Sequence, residues 1–191
     1  PWTQSRNAED FALGLHLILA TLPIVFVGLF FSDLLSSRVH SIDSIAWANL
    51  IFAGLLLFAF KFSTQSKNLA RLTIGMALAI GCLQALAVFP GASRSGMAIT
   101  GALLVGLNLK DSSKFAFLLS IPTILGALIL MTAKEAHILS TDDLTILLAG
   151  FLGSAVVAFL TIRVFLKFVE QIGMTPFVIY RIGLGVLLLL L

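Results

Sequence analysis

The chain has 191 residues, 59% of them hydrophobic and only 11% charged, less than half the share of about 25% in an ordinary soluble domain, so a water-facing surface cannot be made from it. The net charge of +3, from 12 basic and 9 acidic residues, is too small and too scattered for a nucleic-acid footprint. The single Cys82 lies inside an apolar run and excludes a disulfide framework.

The chain opens at Pro1 with a polar segment, Trp2 to Asp10, that lacks the pattern of a signal peptide. The expectation is a sequence that starts partway along a longer protein. The first apolar span is 11–31 and carries His16 and Pro23; a proline is tolerated in a membrane helix when neighbours satisfy the freed carbonyl. His16 reads as a polar contact between helices or as pocket lining. After a polar connection over 32–44 comes a second span, 45–60. The next connection, 61–71, carries Lys61, Lys67 and Arg71 without an acid, which places it on the cytoplasmic side.

Residues 72–109 form a stretch of 38 residues with one charge, Arg94. Its first arm, Leu72 to Phe89, is long enough to span, whereas its second, Met97 to Leu109, reaches roughly 20 Å at 1.5 Å per residue, too short for a hydrocarbon core of about 30 Å. Between the arms lies Pro90-Gly91-Ala92-Ser93-Arg94-Ser95-Gly96, a helix-breaking run that would expose backbone groups if it faced lipid. The consistent solution is a re-entrant helix, loop and helix whose tip lies inside the bilayer and is buried in protein.

The chain then crosses outward over 115–133 and back over 144–169, with the net-acidic connection Lys134 to Asp143 outside. Arg163 and Lys167 fall near the cytoplasmic surface, as anchors or as headgroup ligands, and the last span, 177–191, holds Tyr180 and Arg181 near its start, as an interfacial tyrosine and a snorkelling arginine or as contacts to the substrate or the hairpin. His40 and His137 lie in connections and carry no assigned role. The expected fold is all-α and polytopic: about five transmembrane helices plus one re-entrant hairpin, in a single membrane domain over 1–191.

The chemistry concentrates at Arg94. A lipid-facing arginine at membrane depth costs about 2.5 to 3.5 kcal/mol even on the lenient insertion scale, so Arg94 is expected to face a polar cavity or an anion. Ser93 and Ser95 offer hydroxyls, Gly91 and Gly96 let backbone N–H groups converge, and a helix N-terminus follows directly. A guanidinium grips phosphate oxygens through two parallel hydrogen bonds. These features predict a phosphate site; the plain alternative is an arginine that pairs with a buried acid or caps carbonyls beside a tight glycine turn. None of the nine acids lies within an apolar run, so no metal site at membrane depth can be built from them.

PGASRSG (Pro90 to Gly96), preceded by Gln84 in GCLQALAVFP, followed by FAFLLSIP (Phe115 to Pro122) and closing on PFVIYRIGLG (Pro176 to Gly185), resembles the bacterial undecaprenyl-diphosphate phosphatase family, also called the bacitracin-resistance protein family. The likeness includes LHLILATLP (Leu15 to Pro23) and so runs along nearly the whole chain. It implies a hydrolase of the bacterial cytoplasmic membrane that removes the terminal phosphate of a C55 polyprenyl diphosphate, recycling the monophosphate lipid carrier of peptidoglycan synthesis. It implies two re-entrant hairpins in inverted halves, and leaves a homodimer open.

By this likeness Arg94 is the catalytic residue that binds the diphosphate and stabilises its charge. Gly91, Ser93, Ser95, Gly96, Gln84 and Thr100 form the candidate substrate-binding set. The resemblance also implies a divalent cation, Mg or Ca. Its ligands belong to an upstream motif of two glutamates four apart followed by a Ser-Ser-Thr-Gly-His-like run, which nothing in this chain matches. The chain is therefore expected to be N-terminally incomplete and unable to release phosphate alone. A further departure is Ala98, where the family usually has Thr or Ser; Thr100, two positions on, is turned by about 200° around the helix. Two other readings stay open: a membrane transporter for an anionic solute, and a non-catalytic binder of lipid diphosphates.

Overall fold

A computed structural model describes residues 2–36, 41–135 and 141–190. They form seven α-helices: α1 Trp2–Ser36, α2 Ile42–Phe62, α3 Ile74–Ala85, α4 Arg94–Leu104, α5 Leu109–Glu135, α6 Thr141–Ile172 and α7 Thr175–Leu190. Single 3-10 turns cover Leu69–Arg71 and Leu86–Val88, and no strand occurs among the described residues. Parts of the 32–44 and 134–143 connections, with His40 and His137, lie outside them.

Four helices are long and apolar enough to cross a membrane, with spans at Ala8–Phe30, Ile42–Phe62, Leu109–Leu130 and Ile146–Ile172. The fifth expected span, α7, has 16 residues and so reaches about 24 Å, short of a core of about 30 Å. Of the other four helices, α1, α5 and α6 run past their apolar stretches. Trp2 to Asp10, for example, contains no glycine or internal proline to stop α1, and polarity alone does not end a helix.

The exposed faces argue for lipid as the solvent. The most apolar window of Ile146–Ile172 has none of its residues buried, and Phe151, Val157 and Phe159 are each more than 60% exposed. Soluble monomers rarely leave apolar patches of that extent open to water. The chain is a multi-pass membrane protein.

The helix-loop-helix over residues 74–104 has two short arms of 12 and 11 residues, about 18 and 16 Å long. Its two ends are stitched together on one side of the bundle. Lys67 N–H donates to the Gly106 carbonyl at 2.9 Å, and Asn108 N–H donates to the Lys67 carbonyl at 2.9 Å. Lys67 Nζ donates to the Val105 carbonyl at 3.0 Å, satisfying a carbonyl at the end of α4. Since the chain enters and leaves at one place, the hairpin makes no net crossing. Its second arm ends at Leu104 rather than Leu109. Gly106, at φ +93°, turns the chain, and Asn108 Oδ1 accepts from Asp111 N–H at 2.8 Å to open α5.

The Lys110–Glu170 ion pair, at 3.0 Å, brings the end of α6 to the same side, as does the packing of Phe60 against Gly173. The basic connections therefore share one end of the bundle, as expected from their charge.

Asp111 completes this clasp: Oδ2 accepts from Leu69 N–H at 3.1 Å and from Asn108 Nδ2 at 3.0 Å. Asp111→Ala leaves a part-buried N–H without its partner, so the protein loses about 1–3 kcal/mol, read as a lower unfolding midpoint in detergent. An unchanged midpoint would show that the clasp is dispensable.

Helix α4 is the centre of the core. Gly96 through Leu103 are all buried, and α4 packs against α2, α3 and α5. A helix that is enclosed on most sides can be apolar on most sides. Small residues bring the backbones together: a Cβ on Gly101 would stand 3.1 Å from Ile80 Cα, and one on Gly81 would collide with the backbone of Ala20 in α1.

Candidate functional site at the hairpin bend

The bend starts with a tight turn that its sequence specifies. Ala92 N–H donates to the Phe89 carbonyl at 3.1 Å across Pro90 and Gly91. Proline followed by a glycine at φ +92° is the signature of a type II turn. Ser93 then takes φ +50°, unusual for a residue with a side chain, and caps α4: its Oγ accepts from Gly96 N–H at 3.3 Å. Helix α4 begins at Arg94, so the N–H groups of Arg94 and Ser95 have no acceptor inside the helix and find none among the described residues. The side chains of Arg94 and Ser95 are likewise exposed and unpaired. Two backbone donors, a hydroxyl and a guanidinium thus belong to two successive residues at the N-terminus of α4, where the helix dipole adds positive potential.

The bend lies among the apolar segments of four helices and separates two cavities. On one side, Arg94 lines an open cavity of about 240 Å³ with Val25 and Gly28 of α1 and Thr123 and Gly126 of α5. On the other, Gly91 and Ser93 line a cavity of about 380 Å³ with Asn49 of α2 and Tyr180 and Arg181 of α7. The arginine expected to face a polar cavity therefore faces a largely apolar one, in which it is the charged group. The alternative of an arginine locked to a buried acid does not describe it, since no carboxylate lines that cavity.

Of the candidate set, Gly91, Ser93, Arg94, Ser95 and Gly96 come together in the bend. Gln84 and Thr100 do not reach its surface. Gln84 is 2% exposed, and its Nε2 donates to Thr123 Oγ1 at 3.0 Å. Thr100 is fully buried and donates to the Gly96 carbonyl at 2.7 Å. Gln84 thus acts one step back, holding Thr123 on the wall that Arg94 faces.

Thr123 was not among the residues singled out from the sequence, nor was Asn49, although an amide inside the otherwise apolar run 45–60 is a signal. Asn49 Oδ1 accepts from Arg181 Nε at 2.8 Å, and Arg181 Nη2 donates to the Gly91 carbonyl at 2.7 Å. His16 lies apart, in a cleft with Glu9, Asp10 and Lys114. Arg163 and Lys167 are exposed on α6.

The divalent cation implied by the resemblance finds no donor set here. No group of three His, Cys, Asp or Glu side chains among the described residues is placed to hold a metal ion, and the Arg94 cavity is lined by none of these types. The described residues at the bend do not fit a metal.

A family model described as "Bacitracin resistance protein BacA" matches residues 2–187. The chain belongs to this family. Relatives named undecaprenyl-diphosphatase include that of Alcanivorax borkumensis, 43% identical over 97% of the chain and 70% of the relative. Those of Ruthia magnifica and Teredinibacter turnerae are each 43% identical, over 92% and 94% of the chain and 66% and 68% of the relative. The chain thus spans about two thirds of the length of these curated relatives.

Proposed function

We propose that this chain carries the diphosphate-binding, charge-stabilising part of an undecaprenyl-diphosphatase of the bacterial cytoplasmic membrane. In the reaction a phosphoanhydride P–O bond breaks, the terminal phosphoryl group is transferred to water, and the C55 monophosphate leaves as the lipid carrier. The observation that carries the reading is the bend itself. Arg94, the Ser95 hydroxyl and two unpaired N–H groups stand together at the start of α4, at the depth of apolar helix segments. Donors fixed in place before the reaction stabilise the charge of a phosphoryl group in flight at no cost of reorganisation.

The chemistry of these residues is binding and charge stabilisation. The hydroxyl on the cavity wall, Thr123, donates to the Leu119 carbonyl at 2.8 Å and accepts from Gln84, so its proton is committed. No acid or histidine lines the cavity to act as a base. The nucleophile, the base and the cation proposed from the family resemblance take their groups from outside these residues. Transport of an anionic solute is not favoured, since the relatives are named as diphosphatases.

Labelling tests the reading without turnover. In the full-length protein carrying Ser95→Cys, saturating C55 diphosphate slows reaction with a charged maleimide by more than about tenfold, as expected when free sites are a small minority. The C55 alcohol, with the same tail and no phosphate, leaves labelling unchanged. Equal effects of both lipids, or none of either, would show that no phosphate seats on the α4 N-terminus.

A further inference from the structure

Arg181 has no place in the phosphate site, yet it is more thoroughly engaged than Arg94. Its Nη2 donates to the Gly91 carbonyl at 2.7 Å, and its Nε donates to Asn49 Oδ1 at 2.8 Å. Asn49 in turn donates through Nδ2 to the Arg181 carbonyl at 2.7 Å, so amide and arginine hold each other in orientation. The neighbouring glycines are shaped to this arrangement. A Cβ on Gly96 would stand 2.9 Å from Arg181 Nη1, and one on Gly185, a turn further along α7, would stand 2.7 Å from Leu50. The bend is thus held on its α2/α7 side by a charged fork, while Arg94 projects to the α1/α5 side.

We infer that Arg181 is a positioning residue for the diphosphate site: clamped by Asn49, it fixes the Gly91 carbonyl and thereby the direction in which α4 presents Arg94. This rests on the reading of Arg94 given above. The physical case is that Ser93 holds φ +50°, a conformation that a residue with a side chain keeps only where the surroundings impose it. In a site surrounded by apolar side chains, a charge-assisted hydrogen bond to a carbonyl is among the strongest restraints available. A lysine at 181 could reach one acceptor but not both, because it lacks the planar fork.

The test is a double-mutant cycle in the full-length protein, reading kcat and KM for C55 diphosphate hydrolysis. Arg181→Ala is expected to lower kcat by up to about a hundredfold, the scale of a displacement of about 1 Å at a reacting group. Its division between kcat and KM follows that of Arg94→Ala, and Arg181→Lys recovers only part of the rate. With Arg94 already replaced by alanine, the same change costs less than about threefold, because residues that act through one another are not additive.

Asn49→Ser, which frees the guanidinium without removing it, gives a smaller loss that also vanishes without Arg94. It keeps the test decisive where Arg181→Ala fails to fold. Normal turnover in both Arg181→Ala and Asn49→Ser, or losses of the same size with and without Arg94, would overturn the inference alone. Normal turnover in Arg94→Ala would instead overturn the reading of Arg94, and this inference with it.

Discussion

Replacing Arg94 by alanine in the full-length protein lowers phosphate release from a C55 polyprenyl diphosphate by more than about a hundredfold, the scale for losing one preorganised stabiliser of developing charge. The side chain is exposed at the first position of α4 and buttresses nothing, so the loss comes without a comparable fall in stability. Arg94→Lys restores only part of the rate, because an ammonium is a point charge without the two parallel donors that match phosphate oxygens. Steady-state release of orthophosphate measures both. Turnover within a few-fold of the unmodified protein in Arg94→Ala would remove the residue from the mechanism.

The second large effect is expected at Gly91, where one methyl group meets two obstacles. The backbone stands at φ +92°, which residues with a side chain rarely adopt. An added Cβ would also lie 2.5 Å from the carbonyl oxygen of Ile45 and 3.3 Å from the backbone nitrogen of Asn49. Both are backbone atoms of a packed helix, so neither can swing aside as the end of a side chain could. Gly91→Ala therefore costs about 1–3 kcal/mol from the dihedral alone, with the collision added to it. It also moves the carbonyl that Arg181 holds. A lower unfolding midpoint and at least about a tenfold fall in turnover are expected together, since small displacements at a reacting centre are amplified in rate. Gly75→Ala is the matched control. Nothing lies within 4 Å of its Cβ position, and its effect on the midpoint is close to neutral. Equal midpoints for the two variants would contradict this account of the bend.

The hairpin was legible in the sequence because length and chemistry agreed there. A second arm too short to cross follows a helix-breaking run of Pro and Gly, and together they leave a chain that turns back as the consistent solution. Arg94 was legible for a similar reason, as the one charge in 38 residues. Local sequence did not carry the rotation of one helix against another. Gln84 belongs to the block that leads into the bend, yet its amide turns to Thr123, 39 positions away, and not to the cavity.

The partnership of Asn49 with Arg181 spans 132 positions and has no local signature. Sequence left Arg181 between a snorkelling arginine and a contact with the substrate or the hairpin, and the packing of α2 on α7 decides for the hairpin. The second arm was drawn to Leu109 because hydropathy continues to that point. The turn at Gly106 and the Asn108 cap end α4 earlier, and neither interrupts an apolar average.

The most direct measurement is equilibrium binding of a non-hydrolysable C55 bisphosphonate to the full-length protein with and without Arg94→Ala, at fixed salt. If the guanidinium grips the diphosphate, affinity falls by roughly ten- to a hundredfold, matching about 1.5–3 kcal/mol for a hydrogen bond to a charged group. Equal affinity in the two proteins would contradict the assignment of the bend as the diphosphate site.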